Sequence, residues 1–311
     1  MIKHKQIRIF DGHSSCVNCV KFSPYHYYNY CRDVIYFSSD DKTIRFWDIK
    51  HNQQLQLPSG HDGSVCGIEF SPFNGSRYLC SGSGDYTIRL WDIETYKSLH
   101  VFSGHTSGVW CVDFSPLQSN NNNKNNSIGV IGGNGYTICS GSLDNTICMW
   151  DIETSKQLII FGGHENYVRS VKYGSNELGA ISGSNTILSG SMDKSVRLWD
   201  IRFSKQIQKF NGHTDTVWAV DYPPFAIKSS HEVGSSSNVI CSGSRDNTIR
   251  FWDIRSNKKE LYLIKGENKA DDGIFCLKFV PLKKKERNTS DYGVNLCYGS
   301  HKGPIRIWRM N

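Results

Sequence analysis

Serine, histidine and aspartate within reach of one another are the parts of a nucleophilic triad, and this chain carries them at a repeating spacing. The stretch SGSGDYTIRLWD, Ser81 to Asp92, has close copies along the chain. SSDDKTIRFWD ends at Asp48, SGSLDNTICMWD at Asp151, SGSMDKSVRLWD at Asp200 and SGSRDNTIRFWD at Asp253, and a worn copy, YGSHKGPIRIW, ends at Trp308. A Gly-His pair precedes five of them, at His13, His61, His105, His164 and His213. Repetition argues against catalysis, which needs one site with an oxyanion hole and a substrate cleft. It suits a structural device needed once per unit, since a buried tryptophan N–H requires an acceptor and a buried aspartate requires donors. Cys16 and Cys19 form a CxxC pair, the spacing of a metal site. They fall on an expected strand, however, where residues three apart point to opposite faces, and no second pair lies in register. No lone carboxylate pair or phosphate loop stands out, so neither an enzyme, a cofactor nor a bound metal is expected.

The tryptophans that end the copies, Trp47, Trp91, Trp150, Trp199, Trp252 and Trp308, are 44, 59, 49, 53 and 56 residues apart. A period in this range means a repeat architecture. Each copy reads as a strand ending in small residues, a tight turn carrying Asp, and an alternating β-branched strand ending in Trp. An outer strand follows, for example Lys97–Phe102, then Gly-His, then an inner strand of nearly continuous apolar character such as Val109–Phe114. Such strands suit burial on both faces, and a Ser-Pro or Pro-Pro break usually ends them. Four antiparallel strands per unit and six units predict an all-β propeller occupying residues 1–311 as a single domain. Residues 2–10 match the outer strands, so the N-terminal strand is expected to complete the last blade and remove two exposed sheet edges. Length variation concentrates between first and second strands: 25–33, the asparagine tract 119–127, 174–185, 228–238 and 282–293.

With 36 basic against 29 acidic side chains the net charge of +7 is mild, and the basic residues are scattered. A nucleic-acid footprint would form a concentrated stripe, so no specific nucleic acid is expected. No apolar run approaches membrane-spanning length and nothing resembles a signal peptide. Eleven cysteines without framework spacing indicate a reducing compartment, cytoplasmic or nuclear.

Gly-His, the Ser-Gly-Ser-x-Asp turn and Trp-Asp, recurring together from end to end, resemble the WD40 repeat family of β-propellers. The resemblance implies blades pinned by hydrogen-bonded tetrads: His61, Ser81, Asp85, Trp91; His105, Ser140, Asp144, Trp150; His164, Ser189, Asp193, Trp199; and His213, Ser242, Asp246, Trp252. In the first repeat Phe37 stands where the others have the first serine, leaving Ser39 as a poorer substitute. In the last, Lys302 replaces the turn aspartate, Pro304 the threonine and Gly266-Glu267 the Gly-His, so that blade is expected to lack the network and to be the loosest. The resemblance also implies a docking platform for other proteins or peptides, bound on the face that bears the Gly-His loops and Asp turns. Two positions per repeat point there. The second residues of the inner strands are Asn18, Cys66, Trp110, Arg169, Trp218 and Phe275, and the residues before the turn aspartate are Asp40, Gly84, Leu143, Met192 and Arg245. Aromatic residues and arginine dominate interface hot spots, so Trp110, Arg169, Met192, Trp218, Arg245 and Phe275 are the expected partner-binding residues. An acidic or aromatic-bearing peptide would suit them. A narrower alternative is a substrate receptor of a cullin-type ubiquitin ligase. Trp199-Asp200-Ile201-Arg202 and Trp252-Asp253-Ile254-Arg255 resemble the Trp-Asp-x-Arg signature of such receptors, which implies that Arg202 and Arg255 would contact the ligase adaptor.

Overall fold

The computed structural model describes residues 9–56, 60–115, 136–174, 185–224, 238–255, 260–267, 271–281, 294–303 and 305–310. Period-two runs broken by turn residues give short antiparallel strands, gathered into six sheets that each follow chain order from an inner to an outer strand. Blade one comprises Val17–Phe22, Val34–Ser39, Ile44–Asp48 and Gln53–Gln56, and blade two Val65–Phe70, Tyr78–Ser83, Thr87–Asp92 and Lys97–Ser103. Blade three comprises Val109–Phe114, Thr137–Ser142, Ile147–Asp151 and Gln157–Phe161, and blade four Val168–Tyr173, Thr186–Ser191, Ser195–Asp200 and Lys205–Asn211. Blade five holds Val217–Asp221, Val239–Ser244, Thr248–Asp253 and Glu260–Lys265, and blade six Ile274–Pro281, Val294–Ser300 and Ile305–Met310. The architecture is a six-bladed β-propeller. At the turn between second and third strands, the residue after the aspartate (Lys42, Tyr86, Asn145, Lys194 or Asn247) is left-handed, with φ between 63° and 73°. Asparagine at two of the five positions tolerates that conformation best.

Blade six has three strands among the described residues. Its expected fourth, residues 2–10, lies outside them except for Ile9 and Phe10. Phe10 sits 5.8 Å from Trp47, much as Phe102, Phe161 and Phe210, which lie at the outer-strand ends of blades two to four, stand 5.6–6.1 Å from the next blade's tryptophan.

Successive blades pack face to face. Ile88, Leu90 and Phe102 of blade two form one cluster with Val109, Val112, Phe114 and Trp150 of blade three, and each such buried side chain contributes about 1.5–3 kcal/mol. The approach is close enough to demand glycine in the second strand: a Cβ on Gly141 would stand 2.6 Å from Val168 Cγ1 of blade four. Gly299, its counterpart in blade six, faces only Cys276 of its own blade. At that seam Ile305 and Ile307 are 77% and 66% exposed and Val20 of blade one 54%, whereas Ile88, Leu90 and Val112 are at most 7% exposed. Five seams are therefore closely packed and the sixth presents two apolar faces.

Of the five expected insertions, only 25–33 is described in full, and it is not wholly irregular. Pro24–Tyr30 is an α-helix capped by Ser23, whose Oγ accepts from His26 N–H, with proline in its first turn. The Ser-Pro pair that stops the strand also starts the helix. The other four fall outside the described residues but for their end residues Gly174, Asn185 and Asn238.

Candidate functional site: blade networks and channel mouth

The Gly-His loop ahead of the inner strand, the second strand, the Asp turn and the end of the third strand meet in each blade, and there the repeated residues come together. In blade two, His61 Nδ1 is 2.8 Å from Asp85 Oδ2 and Nε2 is 2.7 Å from Ser81 Oγ, which also accepts from Trp91 Nε1–H at 2.8 Å. Blade three repeats this with His105, Asp144, Ser140 and Trp150 at 2.8 Å throughout. In blade four His164 is 2.7 Å from both Asp193 and Ser189, and Trp199 is 2.8 Å from the serine. In blade five the distances among His213, Asp246, Ser242 and Trp252 are 2.8–2.9 Å. With Nδ1–H donating to the aspartate, the imidazole Nε2 accepts a hydrogen bond from the serine O–H, the arrangement found in a protease. All four serines are 0% exposed and hydrogen-bonded to an indole, so no substrate carbonyl can reach them, and each array links the Gly-His loop, the Asp turn and two strands of one blade. Burial alone would raise the four turn carboxyls. Hydrogen bonds from the histidine and from the hydroxyl two residues on (Thr87, Thr146, Ser195 or Thr248) outweigh it and hold them below the ordinary carboxylate range. Burial lowers the His164 imidazole despite Asp193.

The second residues of the inner strands converge on the channel mouth. The Arg169 guanidinium carbon lies 3.9 Å from the Trp110 ring centre, 4.7 Å from Trp218 and 5.7 Å from Tyr167. Trp218 stacks on Phe275 at 4.5 Å, and Phe275 on His301 at 5.0 Å. Arg169 Nη2 meets Met192 Sδ at 3.3 Å. Trp110, Arg169, Met192, Trp218 and Phe275 thus form one half-buried cluster supplied by blades three to six. Burial lowers the Arg169 guanidinium from its ordinary value. On the other side of the mouth Asn18 Nδ2–H donates to Asp40 at 2.7 Å and to the Val65 carbonyl at 3.2 Å. Arg245 stands apart from the stack, exposed on the rim beside Gly273.

A family model described as "WD domain, G-beta repeat" matches residues 4–48, 52–92, 96–151, 155–200 and 204–253. The chain belongs to the WD40 family. Each matched WD40 segment from the second onward begins with the preceding blade's outer strand, so sequence repeat and structural blade are offset by one strand. Among curated proteins, the WD repeat-containing protein pop2 of Schizosaccharomyces pombe is 27% identical over 180 residues, 56% of this chain and 19% of its own length. An F-box protein of Saccharomyces cerevisiae is 43% identical over 54 residues, 17% of this chain and 8% of its own. The nuclear distribution protein PAC1 of Coccidioides posadasii is 29% identical over 293 residues, 92% of this chain and 58% of its own. The chain thus spans little more than half the length of these relatives at most.

The two divergent WD40 blades depart from the sequence reading. In blade one His13 Nδ1 keeps its 2.8 Å contact with Asp41, and Nε2 has no hydrogen-bond partner among the described residues. Phe37 fills the serine's place and packs edge-on to Trp47 at 5.3 Å. Ser39 is not a substitute: its Oγ accepts from Asp41 N–H, as Ser83 accepts from Asp85 N–H in blade two. Nor is blade six without a network. Asp271, 0% exposed, accepts from Arg306 Nε–H at 2.8 Å, Tyr298 Oη–H at 3.2 Å and Glu267 N–H at 2.8 Å. The carboxylate occupies the histidine's place and Tyr298 the serine's, while the exposed Lys302 ammonium pairs, among the described residues, with exposed Asp272 at 3.7 Å.

Sequence reasoning also missed a ring of charge. Three residues along each inner strand from the mouth position, about 10 Å away, stand Lys21, Glu69, Asp113, Lys172, Asp221 and Lys278. Lys172 Nζ bridges Asp113 at 3.2 Å and Glu69 at 3.4 Å, and Lys21 reaches Glu69 at 2.5 Å, joining blades one to four inside the channel. A cavity of about 330 Å³ is lined by Glu69, Asp113, Lys172, Asp221 and Lys278 among others. A charge three residues past the mouth position in every inner strand was the available signal.

Proposed function

We propose that this protein is a non-enzymatic scaffold that binds a partner protein or peptide on the face bearing the Gly-His loops and Asp turns. The observation that carries this reading is the half-buried stack Trp110–Arg169–Trp218–Phe275. Rigid aromatic and arginine side chains anchor interfaces when they cluster at a concave centre, and here four blades deliver them to one point. Arg245 extends the surface at the rim. Eleven free cysteines favour a reducing compartment, cytoplasmic or nuclear. The test is capture from cell extract with the immobilised protein, comparing wild type with Trp110→Ala and Phe275→Ala. Partners retained equally by all three, at equal thermal stability, would remove this face from consideration.

A second reading, substrate receptor of a cullin-type ubiquitin ligase, is favoured by the similarity to an F-box protein and by two exposed arginines at equivalent positions of neighbouring blades. Arg202 pairs with Asp200 at 2.7 Å and lies 5.4 Å over Phe203, and Arg255 pairs with Asp253 at 3.4 Å. The double variant Arg202→Glu, Arg255→Glu should lose a co-purifying ligase adaptor while keeping partners bound at the channel mouth. Absence of any adaptor from wild-type captures ends this reading.

A further inference from the structure

Resting on the channel mouth as the partner surface, we infer that the group it takes at its centre is a carboxylate, presented by a partner peptide and received by Arg169 and Trp218. The site is short of acceptors. Among the described residues, Arg169 Nε and Nη1 and Trp218 Nε1 are buried with no hydrogen-bond partner, and Arg169 Nη2 has only the Met192 sulfur at 3.3 Å, a weak acceptor. A buried donor left unpaired is costly, and four N–H-bearing atoms of two stacked side chains are in that position or close to it. No carboxylate forms an ion pair with Arg169 among the described residues, and Asp40, which holds the pre-turn position of blade one on this face, is engaged by Asn18.

A group that only accepts hydrogen bonds answers this deficit, whereas an amide would bring its own N–H₂ against the same donors. Charge selects between acceptors. The stack contains a single guanidinium, with Arg245 outside it on the rim, which balances one negative charge. A phosphoryl group carries about −1.5 to −2 and would leave excess charge among aromatic rings. Carboxylate and guanidinium are both planar and pair in a fork. The free donors are covered by the rings, so accepting the ligand requires Arg169 to turn partly from between Trp110 and Trp218, trading ring contact for charged hydrogen bonds.

The experiment follows the indole N–H resonance of Trp218, assigned by its disappearance in Trp218→Phe. The ¹⁵N-labelled full chain is titrated with Ac-Ala-Glu-Ala-NH₂, Ac-Ala-Ala-Ala-OH, Ac-Ala-Gln-Ala-NH₂ and inorganic phosphate. The two carboxylate peptides separate a side-chain from a C-terminal source. Saturable shifts with at least one of them, weakened about tenfold or more in Arg169→Gln and absent with the glutamine peptide, are expected. Equal response to glutamine, or tighter response to phosphate, would overturn the proposal. Arg169→Lys, which keeps the charge, provides the comparison should Arg169→Gln fail to fold. It should bind more weakly than wild type, and an unchanged affinity would also count against a forked pair. If no peptide moves Trp218 while partner capture still depends on Trp110 and Phe275, the carboxylate assignment falls and the platform reading stands.

Discussion

Replacing Asp193 by alanine probes whether the His–Ser–Asp–Trp arrays hold the blades. Asp193 accepts five hydrogen bonds: from His164 Nδ1 at 2.7 Å, Glu165 N at 3.1 Å, Ser195 N at 2.9 Å, Ser195 Oγ at 2.6 Å and Arg197 Nη2 at 3.2 Å. Glu165 is exposed and its N–H can turn to water, and Arg197 keeps Gln206 at 2.8 Å. His164 and Ser195 are buried and lose their acceptor. Two stranded groups at about 1–3 kcal/mol each give a loss of about 2–6 kcal/mol. With an unfolding entropy of about 2.1 cal/mol/K per residue, the 311-residue chain should melt about 3–9 °C lower. Asp271→Ala should lower the midpoint by less, since it strands only Tyr298, while Arg306 is part-exposed and keeps Glu267 at 3.0 Å. Lys302→Ala, an exposed change, should stay within about 0.5 kcal/mol. Differential scanning fluorimetry on the three variants decides the matter. Equal midpoints for Asp193→Ala and Lys302→Ala would refute the structural role of the array, and a neutral Asp271→Ala would refute its replacement in blade six.

Three further outcomes are expected. Lys172→Met leaves Glu69 and Asp113 facing each other in the channel and should cost about 1–3 kcal/mol after allowance for partial solvent access; a chemical-denaturation midpoint unchanged from wild type would show the ring to be ornamental. Burial raises the Glu69 carboxyl, but Lys172 and Lys21 outweigh it and bring it from 4.5 down to about 2. Its contribution is therefore complete above pH 4.5 and lost as pH falls toward 2, so Glu69→Gln should flatten the acid limb of the stability curve in that window; the same slope in both proteins would contradict the assignment. Asp113, raised by burial and by Glu69, acts with the opposite sign. Deleting residues 1–8 tests the expectation that they complete blade six: several kcal/mol of stability should be lost, of the order that burial of a few apolar side chains supplies, and a truncated chain as stable as the whole would end that idea.

The fold was legible because its determinants are local and repeated. A left-handed residue after each turn aspartate, glycine where the next blade presses in, and tryptophan at the strand end can each be read within about a dozen residues. The sites that escaped share the opposite property. Ser23-Pro24 was legible as a strand stop, yet the same pair caps a helix whose aromatic residues carry no clean period. Asp271 stands in for a histidine from a different distance along the chain, so no spacing betrays it, and only its contacts with Arg306 and Tyr298 reveal the exchange. The channel charges were hidden because one lysine or aspartate in an apolar strand looks like a solvated exception until six strands place them in a ring. The mouth cluster lies between these cases. Its residues could be named from their position in each repeat, but Tyr167 enters it from outside that pattern, and His301 holds the pre-turn position of the one blade whose turn has lost its aspartate. The contact between Arg169 and two tryptophans exists only because blades three, four and five curve about one axis. A ligand touching Trp110 and Phe275 together must bridge four blades. Its affinity should therefore fall when a seam is loosened far from the mouth, even with every mouth residue intact.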